Sequence, residues 1–198
     1  AIAVNQFLYP NLGYDPARDL TPLSQCVSTP TLLCVRKSLP VNSVAELIAY
    51  ARANPGKLNY ASSGIGTQPH LSGALFNMMS GLDVAHVPYR GAAPSLIDLI
   101  GGSVDMMFGT ISAIIPHARE GAVKGLAIST AKRSTLAPEY PAVAETLPGF
   151  DATAWFGVGD DVTVIAVNLD MQYHLRIENS DWRPYVGFGL GVNFVSVD

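Results

Sequence analysis

Residues 54–102, NPGKLNYASSGIGTQPHLSGALFNMMSGLDVAHVPYRGAAPSLIDLIGG, decide the fold of this chain. A short strand over 57–60 leads into a Ser/Gly loop that opens a helix at Pro69, and a second strand over 84–87 leads into a loop that opens a second helix. A helix start leaves its first backbone N–H groups without intrahelical partners, and such groups favour an anion. The stretch therefore predicts two amide-rich turns that face one crevice and hold a carboxylate.

Strands and helices continue to alternate on both sides of this stretch. Before it, we expect a strand over 30–35 and a helix that Ser43 and Glu46 open as a capping box. After it, the pattern predicts further elements: helices 69–80, 92–101 and 111–119, and strands 103–108 and 123–129. This alternation indicates an α/β protein built from βαβ units around a mostly parallel sheet. Residues 1–24 are rich in turn signals, with one helical turn near residues 6–9.

The composition limits the classes of protein that the chain can belong to. It has 198 residues, of which 48% are hydrophobic and 14% charged, so it is not a disordered chain. The net charge is −4 and no basic stripe is present, so nucleic acid is not an expected partner. No run of 18 apolar residues predicts a transmembrane helix. The start AIAVNQFLYP lacks the features of a signal peptide, and we expect that it begins inside a longer protein.

The two cysteines, Cys26 and Cys34, match no zinc or redox spacing. Both lie in strand-like text, which predicts two small buried side chains. A disulfide between them is the alternative interpretation, and two cysteines do not decide the compartment.

The last forty residues follow a different pattern. Apolar residues occupy every second position from Ile165 to Ile177 and again from Trp182 to Phe194, with a turn over 178–181 between them. This alternation is typical of a hairpin from a transmembrane β-barrel. It differs from a parallel α/β sheet, whose strands are buried on both faces. The tail therefore predicts an outer-membrane barrel fragment that is foreign to the rest, so that the chain is an apparent chimera.

Residues 1–157 resemble the extracytoplasmic receptors of the tripartite tricarboxylate transporter family, the Bug receptors. Four segments carry the resemblance: LYPNLGYDPARDLTPLS (8–24), SLPVNSVAELIAYARANPGKLNYASSGIGTQPHLSGALF (38–76), HVPYRGAAPSLIDLIGGSVDMMF (86–108) and LAPEYPAVAETLPGFDATAWFG (136–157). The resemblance implies an α/β, type II periplasmic binding protein-like fold. It implies one complete lobe plus a truncated lobe, to which the tail adds a C-terminal antiparallel β-hairpin.

This resemblance sets the expected domain organisation and function. Four parts are expected: a remnant of the first lobe (1–29), a second α/β lobe with the ligand loops (30–130), a segment returning toward the first lobe (131–157) and the barrel-type hairpin (158–198). The family implies a periplasmic receptor, not an enzyme, that captures a di- or tricarboxylate or related organic acid. It would deliver this ligand to the membrane subunits of the transporter. No cofactor or metal is implied, and a membrane contact is expected only if the hairpin belongs to a barrel.

The candidate ligand-binding residues form two clamps. The first clamp combines hydroxyls, a flexible backbone and a histidine, and its members are Ser62, Ser63, Gly64, Gly66, Thr67 and His70. Thr67 is also expected to cap the helix. The second clamp is Tyr89, Arg90, Gly91 and Ala92, in which the Arg90 guanidinium suits a carboxylate. The plainer interpretation of the first clamp is a capped strand-to-helix turn with a packed structural histidine. The plainer interpretation of Arg90 in the second clamp is an arginine that points to solvent.

Thr110 completes the candidate set because of the resemblance. Receptors of this family often carry an aspartate at the end of the preceding strand, where this chain has Gly109. This departure from the family pattern weakens the case for an acidic amino acid as ligand. We expect Thr110 to replace part of the role of that aspartate.

Two enzyme hypotheses remain as alternatives at this stage. A nucleotide-binding α/β domain is suggested by Gly64-Ile65-Gly66 with Asp83 located 17 positions later, although Pro69 stands where the third glycine is needed. A hydrolase needs a nucleophile, a base and an orienting acid. Ser62, His86 and Asp105 are residues of these three types, but any domain of this size contains such a set. No GxSxG motif supports the hydrolase.

Overall fold

Two units make up the chain in the computed structural model, which describes residues 2–13, 15, 22–159 and 165–167. One unit is Pro30–Ala152, and the other combines Ala1–Thr29 with Thr153–Asp198. Among the described residues, no helix has the length and apolar character needed to span a membrane. The predicted domain boundaries at residues 130 and 157 stay predictions.

The elements of the chain alternate between strands and helices, as the sequence predicts. In chain order they are α1 (Ile2–Leu8), β1 (Pro22–Thr29), β2 (Thr31–Arg36), α2 (Val44–Ala53), β3 (Asn59–Ser62), α3 (Gln68–Ser80), β4 (Ala85–Pro88), α4 (Ala92–Gly101), β5 (Met106–Thr110), α5 (Ile111–Arg119), β6 (Val123–Ile128), a 3-10 turn (Val143–Glu145), β7 (Ala154–Gly159) and β8 (Ile165–Val167).

The smaller sheet belongs to the unit that contains both chain ends. Its strand order is β1-β7-β8, and both pairings are antiparallel. Of the predicted barrel hairpin (158–198), two parts lie within the described residues: residues 158 and 159 end β7, and Ile165–Val167 form β8. The remainder of that hairpin lies outside the described residues, so the barrel and chimera interpretation stays a prediction.

The larger sheet has five strands in the order β4-β3-β5-β2-β6. β3 runs parallel to β4 and β5, whereas β2 runs antiparallel to both β5 and β6. Since β6 is antiparallel to β2, it runs in the same direction as β3, β4 and β5, so four of the five strands share one direction, as a mostly parallel sheet requires, and β2 is the exception. Periodicity identifies β2 as a strand, but its direction depends on where it inserts between β5 and β6, which no local pattern encodes.

Helices cover both faces of this sheet. Alternate residues of β2 serve opposite faces: Leu33 and Val35 pack with α2 and α3, whereas Leu32 and Cys34 pack with α4 and α5. Cys34 is fully buried and its thiol is free, as the buried interpretation predicts, and burial raises the pKa of that thiol. The side chain of Cys26 lies outside the described residues.

One edge of the five-stranded sheet carries the segments that the sequence predicts as the two clamps. The parallel strands β3, β4 and β5 all end there, and α3, α4 and α5 all begin there. Because β2 is antiparallel to β5, its first residue Thr31 lies at the same edge opposite Thr110. Three helix starts thus share the edge at which the strands end, the usual place for a ligand in an open α/β sheet.

Candidate anion-binding site

The two predicted clamps adjoin each other at this edge. Ser62 and Pro88 are register partners at the ends of the neighbouring strands β3 and β4. The Tyr89 N–H then donates to the Ser62 carbonyl at 2.9 Å, which extends the strand pairing into the loops. The geometry that the sequence predicts, two amide-rich turns side by side, is therefore present within this unit.

The first clamp is a tight turn whose shape depends on glycine. Gly64 and Gly66 have φ values of +137° and +76°, conformations that L side chains rarely adopt. The Thr67 hydroxyl donates to the Gly64 carbonyl at 2.6 Å. Thr67 occupies the N-cap position, but its Oγ1 accepts no N–H from the first turn of α3, so the prediction of a Thr67 side-chain cap is wrong; the hydroxyl is oriented toward the turn before the helix.

Ser62 shapes this turn from inside. Its side chain is fully buried, and its Oγ accepts the Gly64 N–H at 3.2 Å and lies 2.6 Å from His86 Nε2. The turn also has amides without such a bond: within the described residues, the backbone N–H groups of Ser63 and Ile65 donate to no protein acceptor. Ile65 is 55% exposed, so the turn meets solvent there.

His70 lies behind the turn and stacks with a second histidine. Its ring centroid is 4.2 Å from that of His86, whose ring in turn stacks on Tyr60 at 4.8 Å. The Gly66 N–H donates to His70 Nδ1 at 3.1 Å. Burial lowers the pKa of both histidines, and the neighbouring His70 lowers that of His86 further, to about 4. His70 is therefore a neutral acceptor inside the loop.

The free energy of unfolding is expected to rise with pH between about 4 and 6.5 because of this pair. The unfolded chain takes up a proton near the ordinary value of 6.5, whereas folded His86 does so only near about 4, so acid favours the unfolded state. The contribution is complete above 6.5. Urea unfolding at several pH values measures it. His86→Gln should flatten the slope, and His117→Gln on α5 should leave it intact; equal slopes in all three proteins would contradict the expectation.

The second clamp opens α4. Gly91, at φ +125°, is the residue before the helix, and no side chain caps that end. The Tyr89 hydroxyl donates to Asp98 Oδ2 at 2.6 Å, and this bond, with burial and the Asp98 charge, raises the pKa of Tyr89 to about 12. Arg90 and Ala92 are exposed, and Arg90 belongs to none of the ion pairs among the described residues. Arg90 is thus an uncommitted cation beside free helix amides.

Thr110 lies farther along the same edge. It is the last residue of β5 and immediately precedes α5, without a side-chain capping bond. It is half-buried and pairs in register with Thr31. Because β5 is the direct neighbour of β3, the structure brings Thr110 to the same edge of the sheet as the first clamp, and β3 separates it from the strand that leads into the second clamp.

A buried polar network at this edge was not predicted from the sequence. Gln68 is 3% exposed, and the two hydrogens of its Nε2 are shared among three acceptors: Thr31 Oγ1 at 2.8 Å, Ser72 Oγ at 2.9 Å and the Ala152 carbonyl at 3.2 Å. Thr31 Oγ1 also donates to Ser129 Oγ at 2.8 Å. The only sequence signal is the presence of hydroxyl residues at the ends of buried strands, which does not identify their partner.

Both enzyme alternatives fail on geometry. The Asp105 carboxylate accepts from Arg36 Nε at 2.7 Å and from the Asn59 N–H at 3.0 Å at the start of β5, so it orients no histidine. Asp83 precedes β4 and therefore lies at the sheet edge opposite the glycine turn, where it cannot meet a ribose bound at that turn. In the described part of the chain, no group of three or more His, Cys, Asp or Glu residues is placed to hold a metal ion.

The opposite edge of the sheet contains a cavity of about 330 Å³ lined in part by Arg52, Asp83 and Gly81. The ends of α2 and α3 reach this cavity, and their last carbonyl groups disfavour an anion. Arg52 is already engaged there, since its guanidinium donates to the Ser80 carbonyl at 2.8 Å. The cavity is therefore not a candidate site for a carboxylate, in contrast to the amide-lined edge.

Solved structures similar to this chain define its class. The R. palustris protein Rpa4515, solved with adipate, is 43% identical with a TM-score of 0.69, and the match covers 74% of this chain and 50% of that one. MatC from Rhodopseudomonas palustris, solved with bound malate, is 36% identical with a TM-score of 0.67, covering 75% and 51%. The periplasmic binding protein BugD is 31% identical with a TM-score of 0.66, covering 72% and 48%. The fold is that of the periplasmic binding proteins.

The family follows from the sequence itself. Residues 1–162 match the model of the tripartite tricarboxylate transporter family receptor, and the chain belongs to that family, which consists of receptors and not of enzymes. BugT of Bordetella pertussis is 34% identical over 171 residues, or 84% of this chain and 52% of BugT. A Pseudomonas protein from the tcbD–tcbE intergenic region is 36% identical over 159 residues, or 79% and 47%. The chain spans about half the length of these relatives.

Proposed function

We propose that this chain binds a small organic carboxylate at the edge formed by the first and second clamps. The observation that carries the proposal is the pairing of the two turns through the Tyr89 N–H and the Ser62 carbonyl at 2.9 Å. That bond fixes two sets of free amides next to each other, and amides at helix starts favour anions. Two similar proteins, solved with adipate and with malate, support a di- or tricarboxylate or related acid as the ligand.

The charge of the ligand is recognised by dipoles and by one cation. The first-turn N–H groups of α3 and α4 and the amides of Ser63 and Ile65 donate to a carboxylate, and Arg90 supplies a full positive charge. His70 adds no charge because burial lowers its pKa. A site of this kind holds an anion by hydrogen bonds and needs no metal or cofactor.

Membership of the receptor family indicates the role of this binding in the whole protein. We infer that the whole protein works in the periplasm and delivers its carboxylate to the membrane subunits of a tripartite tricarboxylate transporter. Family membership supports this inference, as does the description of similar solved proteins as periplasmic.

Replacing Gly64 with alanine should weaken carboxylate binding by about tenfold or more. At φ +137° a side chain strains the backbone, and relief of that strain turns the amides of the first clamp away from the ligand. Titration calorimetry with adipate, malate and citrate measures the effect. Gly81→Ala is the matched control, because Gly81 also has a positive φ, +65°, but lies at the far end of α3. A wild-type chain that gives no heat with any of these acids would overturn the proposed function.

A further inference from the structure

Each of the two stacked histidines holds one glycine amide of the first clamp. His70 Nδ1 accepts the Gly66 N–H directly, at 3.1 Å. His86 acts through Ser62, because its Nε2 lies 2.6 Å from the Ser62 Oγ that accepts the Gly64 N–H at 3.2 Å. The amides of Gly64 and Gly66 are thereby turned inward.

The amides between them are left for a ligand. In this part of the described structure, the N–H groups of Ser63 and Ile65 donate to no protein acceptor. Inward and free amides therefore alternate along the turn, and both inward amides depend on the imidazole pair. Successive N–H groups arranged around such a turn form a concave site for an anion.

The bond to His70 requires a neutral imidazole. A ring nitrogen that accepts an N–H carries no proton, so His70 is the tautomer protonated at Nε2. Protonation of Nδ1 would remove the acceptor and turn two N–H donors toward each other. Two imidazolium rings whose centroids lie 4.2 Å apart would also repel.

We infer that His70 and His86 are positioning residues that keep the first clamp in its ligand-binding shape, and that acid releases the ligand by protonating them. This inference rests on the proposed carboxylate binding. It gives the receptor a loss of affinity on acidification that is separate from protonation of the ligand itself.

The surroundings of the pair offer no compensation for an added proton. From β3, the pair faces Tyr60 and the Ser62 hydroxyl, and burial raises the pKa of Tyr60 to about 12, which keeps it neutral. From α3 and β4, the two histidines face each other. Apart from His70, no charged group of the described residues contributes to the lowered pKa of His86. An imidazolium formed here has no carboxylate partner.

Two substitutions of His70 test the inference by calorimetry with adipate on the full chain. His70→Asn places an amide oxygen near the position of Nδ1 and cannot titrate, so at neutral pH it should recover most of the affinity that His70→Leu loses. His70→Leu leaves the Gly66 N–H buried without an acceptor and should bind about tenfold more weakly. Thermal unfolding followed by circular dichroism verifies that both variants fold. If His70→Leu does not fold, His86→Gln and His86→Leu form the equivalent pair.

The pH profile separates positioning from a merely structural role. Between neutral pH and about 4, wild-type affinity should fall more than that of His70→Asn, and the ratio of the two cancels protonation of adipate. Nitrogen NMR of the labelled chain at neutral pH should show the His70 proton on Nε2. A His70→Leu variant that binds as well as wild type, a constant ratio, or a proton on Nδ1 would overturn the inference while wild-type binding stands. No binding by wild type would instead remove the proposed function.

Discussion

Replacing Phe108 with alanine is expected to lower the free energy of unfolding of the Pro30–Ala152 unit by about 3–5 kcal/mol. Phe108 is fully buried in β5, at the centre of three aromatic rings. Its ring centroid lies 6.2 Å from that of Phe76 on α3 and 5.9 Å from that of Phe150. Alanine would remove both ring contacts and leave a cavity that the close-packed sheet and helix cannot fill.

Urea unfolding followed by circular dichroism measures this loss. Phe108→Leu keeps most of the volume and should cost less than Phe108→Ala. Met78→Ala is the control on α3, since Met78 is 74% exposed and should change the stability by less than about 0.5 kcal/mol. Equal stabilities of Phe108→Ala and Met78→Ala would contradict the packing described for this core.

The second large effect is expected at Asp105, whose replacement by alanine should cost about 2–4 kcal/mol. Asp105 is 7% exposed and joins three strands of the sheet. Its carboxylate accepts from Arg36 Nε at 2.7 Å and from the Asn59 N–H at 3.0 Å, and its own N–H donates to Asn59 Oδ1 at 3.1 Å. The cost stays below that of a fully buried pair because the Arg36 side chain keeps 27% exposure.

A double-mutant cycle isolates this ion pair. Asp105→Ala and Arg36→Met should be non-additive, because each leaves the other's charge without its partner. Asp83→Ala is the matched control: it removes an exposed carboxylate that precedes β4, and we expect a change within about 0.5 kcal/mol. An Asp105→Ala chain as stable as Asp83→Ala would show that the three strands do not depend on this carboxylate.

Local patterns predict the elements of the Pro30–Ala152 unit and the edge of its sheet at which the two clamps lie. The turn formers Pro88-Tyr89-Arg90-Gly91 follow a strand and predict the second clamp. The apolar residues after them recur with a period of 3.6 and predict the helix over 92–101. The Ser43 cap is present, with the Glu46 N–H donating to Ser43 Oγ at 3.2 Å. The Glu46 carboxylate, however, accepts from the Asn42 N–H and not from Ser43.

The details that sequence reasoning misses all depend on distant residues. The stack of Tyr60, His86 and His70 requires β3, β4 and α3 to pack, and the histidines are 16 residues apart in the chain. Gln68 finds Thr31 only because β2 runs antiparallel in the sheet. Thr67 is a residue type that often caps helices and it occupies the N-cap position, yet its hydroxyl is oriented toward the Gly64 carbonyl and caps no N–H of α3. Propensity names the candidates for such bonds, and tertiary packing selects among them.

The Tyr89–Ser62 backbone bond joins the two clamps through atoms that every residue type possesses. The exposed side chains of Ile65 and Arg90 take no part in that joint. In the proposed carboxylate site, exchanging these two side chains would change what the ligand contacts while the main-chain frame stays constant. A constant main-chain frame that carries two variable side chains is a simple physical route to a large family of receptors that share an architecture and differ in ligand preference.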